Sequence, residues 1–158
     1  MKNRHGRKRN LWFWLLWPGL FIYFRFSRRS RLAIVDGNKI LLIQDRAALW
    51  FDDDRWTVPG GGLRWFERPD KGAVRELHEV LGVTVEPGTL RLLWRGKLGE
   101  YGLKYRGYFY LAQLPKAAKL SLRASEVAAA KWHVIDSLQP HELSLEAYRA
   151  LRLLAGKD

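Results

Sequence analysis

None of the 158 residues is cysteine. That excludes disulfides, thiolate metal sites and cysteine nucleophiles. It leaves the compartment open, because cysteine-free chains occur on both sides of a membrane. Acidic residues are absent from the first 31 positions, where nine Lys and Arg stand. The rest of the chain holds 19 basic and 16 acidic residues, so the formal net charge of +12 is concentrated at one end. Internal repeats and low-complexity segments are missing. So are a Walker-type phosphate loop, a Ser–His–Asp order and histidines at metal-ligand spacing. What remains is one domain's length with 47% apolar residues, enough for a real core and too many for a disordered chain.

Charge is also missing from the whole run Leu11–Phe24, LWFWLLWPGLFIYF. A helix over this run has no polar face, so it must bury itself in protein or in lipid. At about 1.5 Å per residue it reaches only about 21 Å, short of a roughly 30 Å hydrocarbon core. Pro18–Gly19 interrupts it as well. Trp12, Trp14, Trp17 and Tyr23 are of the types that favour a membrane–water interface. Lys2, Arg4, Arg7, Lys8, Arg9, Arg25, Arg28, Arg29 and Arg31 suit anionic headgroups. Residues 1–30 are therefore expected as a segment distinct from the domain at 31–158. The expected role is a membrane-surface or re-entrant anchor, with residues 1–31 meeting an anionic surface. A helix packed on the domain and a cleaved or spanning segment are the alternatives. No small-residue cleavage pattern follows the run. The expected location is cytoplasmic with membrane association. The run is too apolar for a phosphate-tracking groove, which disfavours nucleic acid.

Leu32–Val35 and Lys39–Gln44 flank Asp36–Gly37–Asn38 and predict a hairpin. Residues 45–54 read as a loop, and Trp56–Val58 as a short strand stopped by Pro59. Gly60–Gly62 reads as a turn that lets backbone approach a ligand closely. Pro69 suits the first turn of a helix that runs to about Leu81, with Gly82 as its stop. Ala73, Leu77, Val80 and Leu81 give that helix an apolar stripe. Thr89–Leu98, Lys104–Leu114 and Ala128–Val134 read as strands. Pro140 to Ala155 reads as a closing helix, with Leu143, Ala147, Leu151 and Leu154 at helical spacing. This order implies an α/β class with a mixed sheet between helices.

On the 69–81 helix, Glu79 lies about 300° from Glu76 around the axis and position 80 about 40° from it. Acids on that side, beside a glycine turn, make a hard-oxygen site suited to Mg²⁺ or Mn²⁺. Such an ion neutralises a diphosphate. Taken alone, a Glu pair at this spacing is an ordinary solvated face. His78, at about 200°, points away.

The stretch Gly61–Val83, GGLRWFERPDKGAVRELHEVLGV, resembles the Nudix box, G-x5-E-x7-R-E-U-x-E-E-x-G-U with U aliphatic. Gly61, Glu67, Arg75, Glu76, Leu77, Glu79, Gly82 and Val83 fall in register. Val80 stands where the family carries the second Glu of its pair. The resemblance covers roughly residues 31–155 and implies an α/β/α sandwich. It implies a Mg²⁺- or Mn²⁺-dependent hydrolase that cleaves the pyrophosphate bond of a nucleoside diphosphate linked to another group. Glu76 and Glu79 would be metal ligands, with Glu76 assisting as base, and the Gly60 carbonyl a further ligand. Gly61, Glu67 and Arg75 would support them, the Glu67–Arg75 pair fixing loop against helix. Glu126, just ahead of a strand, stands where the family often places a later catalytic acid.

Val80 continues the apolar stripe but lowers the acid count, and three outcomes follow. Glu76, Glu79 and Glu126 suffice; or Asp52–Asp53–Asp54 or Glu100 supplies a substitute; or catalysis has lapsed. In the last case the domain binds a nucleotide or a protein at a membrane surface. Trp50, Phe51, Trp65, Phe66, Trp94, Tyr101 and Tyr105 are candidates for stacking a base. Arg64, Lys97, Lys104 and Arg106 are candidates for pairing phosphates.

Overall fold

The computed structural model describes residues 27–49, 53–100, 103–114 and 118–157. The expected anchor at 1–30 therefore lies outside the described residues, apart from 27–30. Among the described residues, no helix is long and apolar enough to cross a membrane.

Strands β1 (Arg28–Asp36) and β2 (Lys39–Asp45) form the predicted hairpin. Asp36 pairs with Lys39, and Gly37 turns the chain at a φ of +57°, where a Cβ would be penalised. β1 begins at Arg28 rather than near Arg31. One helical turn, α1 (Arg46–Leu49), lies inside the expected loop. Trp56 and Thr57 make only isolated bridges, to Leu143 and Ile43. The glycine turn proves to be a short strand, β3 (Gly60–Gly62), antiparallel to β1. Gly60 faces Arg31, and Gly61 faces Ser30. The partner strand lies about thirty residues back in sequence, so no local signal announces it.

Helix α2 (Pro69–Leu81) has Pro69 in its first turn and ends at Gly82, whose φ is +68° and whose N–H donates to the His78 carbonyl. Strands β4 (Arg91–Glu100) and β5 (Leu103–Ala112) pair antiparallel, and β6 (Val127–Val134) joins β2. The final helix, α3 (Leu145–Leu154), is shorter than expected. Ser144 caps it by accepting from the Ala147 N–H, and Pro140–Glu142 is a separate 3-10 turn.

The sheet order is β4-β5-β1-β2-β6, with β3 also on β1. β1 and β5 run parallel, so the sheet is mixed. Alternation along β1 divides the core between its two faces. Leu32 and Ile34 pack with Leu77, Val80 and Leu81 of α2. Ala33 packs with Phe109, Leu143, Ala147 and Ala150 on the α3 side. The architecture is thus the expected sheet between helices.

Arg31 departs from its expected role. It is 8% exposed and pairs at 2.6 Å with buried Glu146, whose other oxygen accepts from the Tyr105 hydroxyl. A charge buried at this depth persists only with such a partner. Arg31 therefore belongs to the interior on the α3 side and is not available to headgroups.

Candidate active site

The connection from Leu63 to Arg68 links β3 to α2 and is held from beneath by β1. The Leu63 N–H donates to the Arg28 carbonyl at 2.8 Å. The Arg28 guanidinium donates to the carbonyls of Arg64 and Glu67, at 3.0 and 3.1 Å. Glu67 folds back under this loop and accepts from the Arg64 N–H at 2.8 Å. Both its oxygens take Arg75, each at 2.9 Å. Arg75 reaches further. It donates to the Gly62 carbonyl at 2.9 Å, to Glu76 at 2.8 Å and to Glu79 at 3.1 Å. One planar guanidinium with five donors thus ties loop, strand and helix together. The hydrogen bond from Arg75 holds the Glu67 carboxyl down to about 2, well below the ordinary range. The same bond raises Arg75.

Glu76 is 8% exposed. Burial pushes its carboxyl above the ordinary range; Arg75 opposes this, and the charges of Glu79 and Glu126 add to it. Room for this carboxylate exists because position 61 is glycine: a Cβ there would overlap the Glu76 side chain. Gly61→Ala is therefore expected to displace Glu76 and to cost about 1–3 kcal/mol, measured as a lower thermal midpoint. Gly60 is equally constrained. Its φ is +144°, and a Cβ would strike the Ser30 carbonyl.

Glu79 is partly exposed, and its second oxygen lies 3.3 Å from Arg64. Glu126 arrives from the far side of the helix end. Ser121 and Arg123 donate backbone N–H groups to the carbonyls of Leu81 and Val80, at 2.8 and 3.2 Å. These bonds satisfy the open end of α2 and bring the 121–126 segment beside it. Glu126 itself pairs with Arg123 at 3.0 Å. Among the described residues, no three His, Cys, Asp or Glu side chains already converge as a metal cage. The donors nonetheless fit a hard divalent cation. Glu76 is a buried carboxylate under like charge from two others, a cost that a cation would relieve.

Val80 is 4% exposed and packs with Leu77, Leu81 and Val83. It serves the apolar stripe. Val80→Glu would place a carboxylate in this core and is expected to cost about 3 kcal/mol in metal-free buffer, read from thermal unfolding.

The other sequence candidates separate clearly. Trp94 packs edge-on against Phe109, and Tyr105 donates to Glu146, both on the α3 side and away from the acids. Asp53 pairs with Arg55 at 2.7 Å. Trp50, Phe51, Asp52 and Tyr101 lie outside the described residues, as does the side chain of Glu100. Trp65, Phe66, Lys97, Lys104 and Arg106 are exposed, and so is His78. Arg28 is the residue that sequence reasoning misplaced. The sequence groups it with the membrane-facing cations, whereas it holds the loop through contacts 36 and 39 residues away.

Comparison with known proteins places this geometry among relatives. A family model described as the NUDIX domain matches residues 26–154. Mouse (Mus musculus) diphosphoinositol polyphosphate phosphohydrolase 3-alpha is 54% identical over 37 residues, which cover 23% of this chain and 23% of that protein. The chain thus spans about a quarter of that relative's length. A MutT-like protein of Streptomyces ambofaciens is 29% identical over 106 residues, 66% of this chain and 64% of that one. The structure also resembles a MutT NUDIX hydrolase from Burkholderia pseudomallei, with a TM-score of 0.70 and 26% identity. That likeness covers 82% of this chain and 98% of the other.

Proposed function

The chain belongs to the Nudix family, and from that premise we propose that it is a divalent-metal-dependent hydrolase of the pyrophosphate bond in nucleoside diphosphates linked to another group. The observation that carries this reading is the buried Glu76 carboxylate, seated over Gly61 and under like charge from Glu79 and Glu126.

Mg²⁺ or Mn²⁺ would be held by Glu76, Glu79 and the Gly60 carbonyl. When bound, the ion supplies positive charge against the diphosphate and polarises water. The chain's own groups do the rest. Glu76 would also stand as acceptor for the proton of the attacking water. Glu126 supports it from the 121–126 segment. Arg75 fixes the direction of Glu76 and Glu79, and Glu67 fixes Arg75. We place the chain in the cytoplasm at the membrane surface, on the charge-free run at residues 11–24.

Phosphate-release screening of nucleoside diphosphate derivatives with Mg²⁺ and with Mn²⁺ tests the proposal. Product that disappears in EDTA and in Glu79→Ala is the expected result. A second reading rests on Val80, which leaves the helix one acid short of the family's pattern. On that reading the domain binds a nucleotide or a protein partner without turnover. A silent wild type whose thermal midpoint rises with nucleotide in EDTA would favour it.

A further inference from the structure

The most exposed large apolar side chains among the described residues are neighbours. Trp65 is 87% exposed and Phe66 96%, with ring centroids 6.4 Å apart. They form the tip of the connection between β3 and α2. Phe66 is also the one non-glycine residue with positive φ among the described residues, at +58°. A bulky residue in that region is an outlier whose backbone cost needs a reason. The turn that Arg64 and Glu67 close, with the Glu67 N–H donating to the Arg64 carbonyl at 3.2 Å, holds that backbone, and it leaves both rings in water.

Beneath and beside the tip is positive charge. Arg28 holds the loop at Arg64 and Glu67. Arg28 is paired across β1 and β5 with Arg106, and Arg106 across β5 and β4 with Lys97. Residues paired across a sheet share a face, so these three cations form one row leading away from the tip. Arg106 and Lys97 are exposed, and neither has an acidic partner among the described residues. The chain enters the domain at this same corner. The Ser27 carbonyl accepts from the Arg106 N–H at 3.2 Å, and the charge-free aromatic run ends at Phe24, a few residues earlier.

We propose that the Trp65–Phe66 tip and the Lys97–Arg106 row form a docking surface for an anionic lipid bilayer. Aromatic rings favour the interfacial layer, and Lys and Arg are drawn to anionic headgroups. The charge pattern selects lipid over a protein partner. Two apolar side chains beside unpaired cations are far too small for the core of a stable protein interface, yet they suffice to seat a domain that, on the membrane-surface reading proposed above, the run at residues 11–24 brings to the bilayer. The surface would lay the Glu67–Arg75 loop against the headgroups.

The test uses the full chain and sedimentation with vesicles of phosphatidylcholine, with and without about one third phosphatidylglycerol. W65S/F66S is expected to weaken apparent affinity for the anionic vesicles by about tenfold or more. K97E/R106E should weaken it comparably on anionic vesicles and leave neutral ones unaffected. Both variants should melt with the wild type, because the altered side chains are exposed. Unchanged binding in both variants would overturn the proposal and leave the whole task to residues 1–26. Equal wild-type affinity for neutral vesicles would overturn the electrostatic half. A vesicle-free dimer that dissociates in W65S/F66S would overturn it in favour of a second copy of the chain.

Discussion

Glutamine at position 76 is expected to lower turnover of a nucleoside diphosphate substrate by about two to four orders of magnitude while leaving the fold at least as stable. Both halves of that result come from one fact: Glu76 is a carboxylate that is 8% exposed. In the resting fold its charge is a burden. Burial disfavours it, and Glu79 and Glu126 repel it, so its proton affinity is raised against the pull of Arg75. Glutamine removes the charge at nearly constant shape and keeps an oxygen to accept from Arg75 at the 2.8 Å contact now made by Glu76. On the proposed roles, catalysis would lose both an anionic ligand and a proton acceptor. The measurements are steady-state turnover with Mg²⁺ and thermal unfolding in EDTA. A variant that turns over at the wild-type rate would remove Glu76 from the chemistry. One that loses activity and unfolds much earlier would make Glu76 a structural residue instead.

Arg75→Ala is expected to be the most destabilising single change at the site, by about 3–5 kcal/mol. Arg75 has no single partner to lose. Glu67, Glu76 and Glu79 all pair with it, and without it only the exposed Arg64, 3.3 Å from Glu79, would offset their charge. The Gly62 carbonyl would lose its donor as well. Lysine should not rescue the variant, because one ammonium cannot take Glu67 with two parallel bonds while reaching Glu76. The pair also carries a pH signature. The Glu67 carboxyl lies near 4.5 when unperturbed and about 2 in the fold, chiefly through its bond to Arg75. A depressed carboxyl contributes stability above its unfolded value and loses it as pH falls towards the folded one. Wild-type stability should therefore decline through this pair between about pH 4.5 and 2, and Arg75→Ala should lack that part of the decline. Denaturant unfolding across that range checks it. Equal acid dependence in the two proteins would show that the Glu67–Arg75 bond contributes nothing to acid stability.

The α2 helix was legible because its signals are local: Pro69 at the start, Gly82 at the end and acids at helical spacing. The hairpin at Gly37 was legible for the same reason. The β3 strand was not, since Gly60–Gly62 has the composition of a turn and becomes a strand only when β1 lies beside it. The basic cluster at the head of the domain was misplaced for a related reason. Arg28 and Arg31 stand in the acid-free head of the chain, so the sequence groups them with the cations that suit anionic headgroups. The fold supplies their partners from the 63–68 loop and from α3.

Taken by itself, the sequence determined the chemistry at stake: carboxylates and a supporting arginine within one contiguous stretch, at spacings that a helix converts into a shared face. Composition alone located the excess charge and the charge-free run. Tertiary structure decided which way those groups turn. It buried Val80 in the core, laid Glu76 over Gly61, brought the Glu126 segment onto the end of α2 and left Trp65 and Phe66 in water. Each outcome depends on pairing between residues far apart in the chain, and only folding brings those surfaces together.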